Sequence, residues 1–158
     1  TLCSRESCFS HHKNYPSRAD GYGAYFREFL AMGSAVSDAE YASANQVRQA
    51  FSRRFLEAFS AVDALLSPAG GVPFRVDQQN QYGGFKDFAA IFAAIQVQFT
   101  FPADFAGTPA LSLPCGFSDA GLPLTMQFMG KHLSEALLCW LGHAYKALTK
   151  WHENHPLV

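Results

Sequence analysis

The chain is 158 residues long, 49% apolar and 16% charged, with 15 Phe. That length suits one domain, and so apolar a chain is no disordered charged tail. Lys and Arg number 12 against 13 Asp and Glu, a net charge of −1. There is no basic excess of the kind that neutralises phosphates, so no nucleic-acid partner is expected. That exclusion has less force for a tRNA-handling enzyme whose basic surface lies on another chain. Cys3, Cys8, Cys115 and Cys139 form no disulfide framework, which points to a reducing, cytoplasmic compartment. The opening TLCSRESCFS lacks the basic and apolar regions of a signal peptide, and lacks an initiator Met, as a fragment or processed chain would. The longest apolar stretch, Phe88–Ile95, falls far short of the ~20 residues that cross a bilayer, so no membrane partner is expected.

In chain order, residues 1–20 read as a polar, irregular segment, and residues 21–158 as the structured part. YGAYFREFLAM (Tyr22–Met32) reads as a short helix, with Gly33 suited to its C′ position. Ser37 and Glu40 match a capping box. Behind them Tyr41, Ala44, Val47, Phe51, Phe55, Ala58 and Val62 form one apolar stripe on a long amphipathic helix. Val62–Pro68 reads as a buried strand stopped by proline, followed by a Gly/Pro/Gln-rich loop over Ala69–Gly84. Phe88, Ile91, Phe92 and Ile95 stand at helical spacing within Phe85–Val97. Ala110–Phe117 and Leu122–Gly130 read as two strands joined by an SDAG turn. A last helix over Leu133–Thr149 places Leu137, Leu141, Ala144, Tyr145 and Leu148 on one face. This order makes an α/β chain without internal repeats.

The usual catalytic patterns are missing. GFSDAG (Gly116–Gly121) has one residue too many between Ser118 and Gly121 for GxSxG, and it joins two strands rather than a strand and a helix. It is expected to be a hairpin turn. There is no P-loop and no dinucleotide fingerprint, since Gly70-Gly71 and Gly83-Gly84 are isolated pairs. Cys3, Cys8, His11 and His12 do not have zinc-site spacing and lack a second ligand pair. No metal and no cofactor are expected.

One stretch says more. FTFPADFAGTPALSLPCGF (Phe99–Phe117) and GLPLTMQFMG (Gly121–Gly130) closely resemble the C-terminal region of amidase-signature enzymes. Phe99, Thr100, Pro102, Gly107, Pro109, Ala110, Ser112, Pro114 and Gly116 fall on the pattern F-T-x-P-x-N-x-x-G-x-P-A-x-S-x-P-x-G. Gly121, Leu122, Pro123, Gln127 and Gly130 fall on G-L-P-x-G-x-Q-x-x-G. Tyr22–Arg48, Asp63–Pro68 and Trp151–Pro156 resemble the family's flanking pieces, so the likeness runs from about Glu6 to the end. Two positions depart: Asp104 stands where the family has Asn, and Thr125 where it has Gly. Without the family, four prolines at 102, 109, 114 and 123 and the bend at Gly107 read as a stiff connector ahead of a strand.

The resemblance implies an α/β fold with a mixed sheet flanked by helices, residues 21–158 being the C-terminal portion of an incomplete amidase domain. It implies hydrolysis of a carboxamide C–N bond through a seryl acyl-enzyme. The nucleophilic Ser, cis-Ser, Lys base and Gly/Ser-rich loop of the family lie N-terminal to the matched region, so no catalytic residue is expected in this chain. Its expected contribution is sheet, helices and pocket wall, with Thr100, Phe101, Asp104, Phe105 and Gln127 as substrate-binding residues. The implied partners are a small-molecule amide and the missing N-terminal catalytic portion. The alternatives are the amidase component of a tRNA-dependent amidotransferase and a non-catalytic remnant or interaction module.

Overall fold

The computed structural model describes residues 1–71 and 97–154. They fall in two units, the first including residues 1–50 and the second residues 51–71 and 97–154. The readings of residues 72–84 as loop, of residues 85–96 in the expected helix Phe85–Val97, and of the last residues, 155–156, lie outside the described residues; Val97 itself opens a 3-10 turn.

In the first unit, α1 (Leu2–Ser10) occupies the segment expected to be irregular. No Gly or Pro interrupts Leu2–Ser10, but its sequence has no apolar stripe to announce a helix. Close packing on α2 (Ala24–Ser34) replaces that stripe. Ser4 is 1% exposed, and a Cβ on Gly33 would stand 2.0 Å from the Ser4 carbonyl oxygen. Gly33 is therefore a contact point inside α2 rather than its C′ residue; the helix runs on to Ser34 and Ala35 caps it in right-handed geometry. Between the two helices, His11 Nδ1 lies 3.0 Å from the Tyr22 hydroxyl, and the Tyr22, Phe26 and Phe29 rings stack in sequence.

The expected capping box opens α3 (Asp38–Glu57). The Ser37 N–H and hydroxyl donate to Glu40 Oε2 at 2.8 and 2.7 Å, and the Glu40 N–H returns to Ser37 Oγ at 3.3 Å. Around its first turns Arg5 pairs with Asp38 at 2.9 Å, and the Tyr41 hydroxyl donates to Glu6 at 3.0 Å. The apolar stripe is only partly covered, since Val47 and Phe51 are exposed. The helix stops at Glu57, so Ala58 and Val62 lie beyond it.

The second unit is built on three strands: β1 (Ala64–Pro68), β2 (Ala110–Phe117) and β3 (Pro123–Gly130), in the order β1-β3-β2. Both pairings are antiparallel, so the sheet of the described residues is antiparallel rather than mixed. Among the described residues β1 lies at the edge of the sheet with Leu66 largely exposed, not the buried strand its apolar run suggests. Ser118 closes the hairpin as expected: its N–H donates to the Leu122 carbonyl at 2.8 Å and its hydroxyl accepts the Leu122 N–H at 3.2 Å. Gly121 takes φ 75°, which a Cβ would disfavour. Ser118 is thus a turn residue and no nucleophile elbow.

Register and the two-residue period divide the sheet into two faces. Leu65, Met129 and Gln127 share one face, on which Phe59 and Ala103 complete a small core with Phe55 and Leu56. Phe59 sits in the 3-10 turn Ala58–Ser60, off the stripe that periodicity identifies. Ala103 belongs to α4 (Phe101–Ala106), which replaces the expected loop-like connector. Pro102 is tolerated there because it lies in the first turn, where an N–H has no helical partner. Gly107 ends the helix in left-handed geometry, φ 68°, its N–H bonded to the Ala103 carbonyl.

The opposite face carries Leu111 and Leu113 and is covered by α5 (Glu135–Leu148). Its buried residues are Leu138 and Gly142. The expected contact face is thereby rotated, and Leu148, placed on it, is 86% exposed. Gly142 allows the close approach, for a Cβ there would stand 2.6 Å from Leu111 Cδ2. Helix, sheet and helix make an α/β arrangement, in agreement with the expected class.

Candidate functional site

A cavity of about 600 Å³ opens in the second unit, where β1 ends and β3 begins. Its apolar wall comes from Leu66, Pro68, Phe99, Leu124 and Met126. Ser67, Thr125 and Cys115 bring two hydroxyls and a thiol, and Gly70 and Gly71 bring backbone. Among the described residues, no carboxylate, amine, guanidinium or imidazole lines it. Such a lining suits an uncharged, mainly apolar group; a charged one would lose hydration without a partner.

Local structure explains who faces the cavity. The ladder between β2 and β3 skips Cys115: Pro114 pairs with Thr125 and Gly116 with Leu124. Cys115 is thus the extra residue of a bulge, a device that re-aims side chains at strand ends. Thr125 lines the cavity, and its carbonyl accepts the Ala69 N–H at 3.1 Å. The branched residue that departs from the family pattern therefore stands in the wall.

Gln127 lies one pair further along β3, opposite Ser67 on β1 and Ser112 on β2. It is 3% exposed. Its Nε2 donates to Ser67 Oγ at 3.1 Å and to the Phe99 carbonyl oxygen. The Ser67 hydroxyl in turn donates to the Pro68 carbonyl at 3.0 Å. With its proton on a backbone carbonyl and no base among the described lining residues, Ser67 has the environment of a structural hydroxyl, not an activated nucleophile.

The five expected substrate-binding residues scatter around this cavity, and none lines it. Thr100 occupies the N-cap position of α4 and Phe101 its first helical position, directly after Phe99. Asp104 is exposed in the same first turn. Phe105 meets Phe51 edge-to-face at 5.9 Å, and its carbonyl accepts the Ser52 hydroxyl at 3.0 Å. Among the described residues, Gln127 reaches the cavity through Ser67 and Phe99. The wall residues Leu66, Cys115, Leu124 and Met126 carry no chemical pattern that a sequence reading could single out, and Thr125 is marked only by its departure from the family. Among the described residues no three His, Cys, Asp or Glu side chains gather to hold a metal, and no helix is long and apolar enough to cross a membrane.

Comparison with known proteins agrees with this architecture. The family described as Amidase matches residues 7–139. A glutamyl-tRNA(Gln) amidotransferase component from Thiobacillus denitrificans is 34% identical over 146 residues, covering 89% of this chain and 29% of that protein. AmiD of Mycobacterium bovis, which carries an amidase name, is 32% identical over 154 residues, covering 97% and 32%. A crystal structure of an amidase superposes with a TM-score of 0.75 at 24% identity, covering 93% of this chain and 33% of that one; it supports the fold. The chain thus spans about a third of the length of the relatives it matches. From the hairpin motifs, the three-layer packing and a family match over most of its residues, it follows that this chain belongs to the amidase family.

Proposed function

We propose that these residues form the C-terminal part of an amidase that hydrolyses a carboxamide C–N bond, water and amide giving a carboxylate and ammonia or an amine. The seryl nucleophile, its cis-serine relay and its lysine base come from a portion of the protein outside these residues, and backbone amides there stabilise the oxyanion. This part supplies sheet, flanking helices and a wall for the uncharged side of the substrate. Thr100, Phe101, Asp104, Phe105 and Gln127 are the residues through which it acts on the substrate pocket, directly or through the wall. The observation that carries the reading is the neutral cavity with no base in its described lining, in a chain whose family match covers residues 7–139.

The test is ammonia or amine release by the protein that carries these residues together with the family's catalytic segment. Turnover of neutral primary or aryl carboxamides, with a seryl acyl-enzyme trapped and weighed by mass spectrometry, is the expected result. No turnover of any carboxamide by folded, full-length protein would overturn it. The likeness to an amidotransferase component supports a second reading, in which the same chemistry releases ammonia from glutamine for a partner. Ammonia release from glutamine only in the presence of partner proteins would select that reading.

A further inference from the structure

We infer that Gln127 is a positioning residue: its buried carboxamide holds the cavity wall in shape and does not touch the substrate. This rests on the cavity's role, proposed above, as the wall for the uncharged side of the substrate. Both hydrogens on Nε2 are engaged, one by Ser67 Oγ at 3.1 Å and one by the Phe99 carbonyl. A carbonyl oxygen only accepts, so the nitrogen has to face Phe99 and the amide has one orientation. Ser67 and Phe99 both line the cavity, whereas Gln127 lies behind them, 3% exposed. Ser67 passes the tie on by donating to the Pro68 carbonyl at 3.0 Å, and Pro68 is a third wall residue.

The connection ties the turn at Phe99 to two strands that the sheet ladder already pairs at Ser67 and Gln127. Gln127 stands on the central strand, Ser67 on the edge strand, and Phe99 in the 3-10 turn Val97–Phe99 that leads into α4. Only a long side chain with two donors on one atom can hold the edge-strand hydroxyl and the turn carbonyl at once. Glu in its ionised form has no donor, and Met of similar length has none either. The substrates concerned are carboxamides with an uncharged, largely apolar side that fills this cavity. Because Gln127 acts through the wall, every such substrate depends on it to a similar degree, whatever polar groups that substrate carries.

The full-length protein with Gln127→Met tests this in two independent ways. For neutral carboxamides, KM is expected to rise about tenfold with kcat within about twofold, the pattern of lost ground-state binding. Separately, Cys115 lines the same cavity and reports its shape without catalysis. Iodoacetamide labelling read by peptide mass spectrometry is expected to run about tenfold faster at Cys115 in the variant, as a loosened wall admits the reagent. Exposed Cys139 on α5 serves as the internal standard. A folded Gln127→Met protein with unchanged Cys115 labelling overturns the proposal, and so does a fall in kcat at constant KM, which would put Gln127 against the reacting atoms. If wild-type protein turns over no carboxamide, the amidase reading fails while labelling still judges the tie. Should Gln127→Met not fold, Gln127→Asn, one methylene too short to reach both partners, gives the same readouts.

Discussion

Glu40 shows how one exposed side chain makes stability depend on pH. The hydroxyl and then the N–H of Ser37 donate to its carboxylate and hold its pKa below the usual carboxylate value. A carboxyl whose folded pKa is depressed contributes stability above the unfolded value of about 4.3, and that contribution is lost as pH falls through the folded pKa. Glu40→Ala is therefore expected to melt below wild type at pH 7, with a narrower gap at about pH 3, below the unfolded value. Thermal melts at the two values check this; an equal gap at both would refute it. Asp104 is the second informative residue. An ionised Asp accepts hydrogen bonds and attracts cations, whereas Asn both donates and accepts. Under the proposed function, Asp104→Asn lowers kcat/KM for cationic amides relative to neutral ones by about fivefold, the scale of one solvent-screened charge interaction. Matched cationic, neutral and anionic amides provide the measurement. A uniform change would leave Asp104 the role of an acidic residue in the first turn of a helix.

Two glycines set how closely elements approach, and their surroundings predict different costs. A methyl on Gly33 would meet the Ser4 carbonyl oxygen at 2.0 Å and its carbon at 2.5 Å, both backbone. Backbone cannot rotate away, so α1 and α2 must separate. Gly33→Ala is expected to destabilise by about 1–3 kcal/mol, as overpacking does. A methyl on Gly142 would meet Leu111 Cδ2 at 2.6 Å, the far end of a side chain that can change rotamer. Alanine also recovers about 1 kcal/mol of helix propensity over glycine. Gly142→Ala is therefore expected to cost less than Gly33→Ala in chemical denaturation, and the reverse order would refute this account of the packing.

At the scale of the molecule, apolar surface is the dominant fact. Leu133 is 91% exposed, Leu148 86%, Phe9 76% and Trp140 64%, while the buried apolar residues among those described are Leu30, Phe59, Ala103, Ala106, Met129 and Leu138. Exposed apolar residues in this number favour association in water. The 158-residue chain by itself is expected to bind a hydrophobic dye and to self-associate. A monodisperse monomer with a cooperative melt and no dye binding would show otherwise. Under the proposed function, which places the nucleophile and the base outside these residues, the same chain is expected to hydrolyse no aryl amide or primary carboxamide. Turnover that disappears with Ser112→Ala would contradict this.

Local patterns made part of this protein legible without coordinates. The capping box at Ser37 and Glu40, the hairpin around SDAG and the last helix each depend on residues close in sequence, and each formed where expected. The family motifs at Phe99–Gly130 likewise announced the fold. What the sequence could not show depended on distant neighbours. α1 has no apolar period, and what the sequence hides is the close approach of its backbone at Ser4 to Gly33 on α2. Phe59 became core through the turn that follows α3, and Leu138 displaced the expected face of α5 because Gly142 sets the contact. The cavity is the clearest case. Its wall draws on β1, a 3-10 turn, a bulge in β2 and the start of β3, and only tertiary packing brings such separated, chemically plain residues together. Gln127 was legible as a motif residue, but its work, two hydrogen bonds to partners 60 and 28 positions away, was decided by the fold.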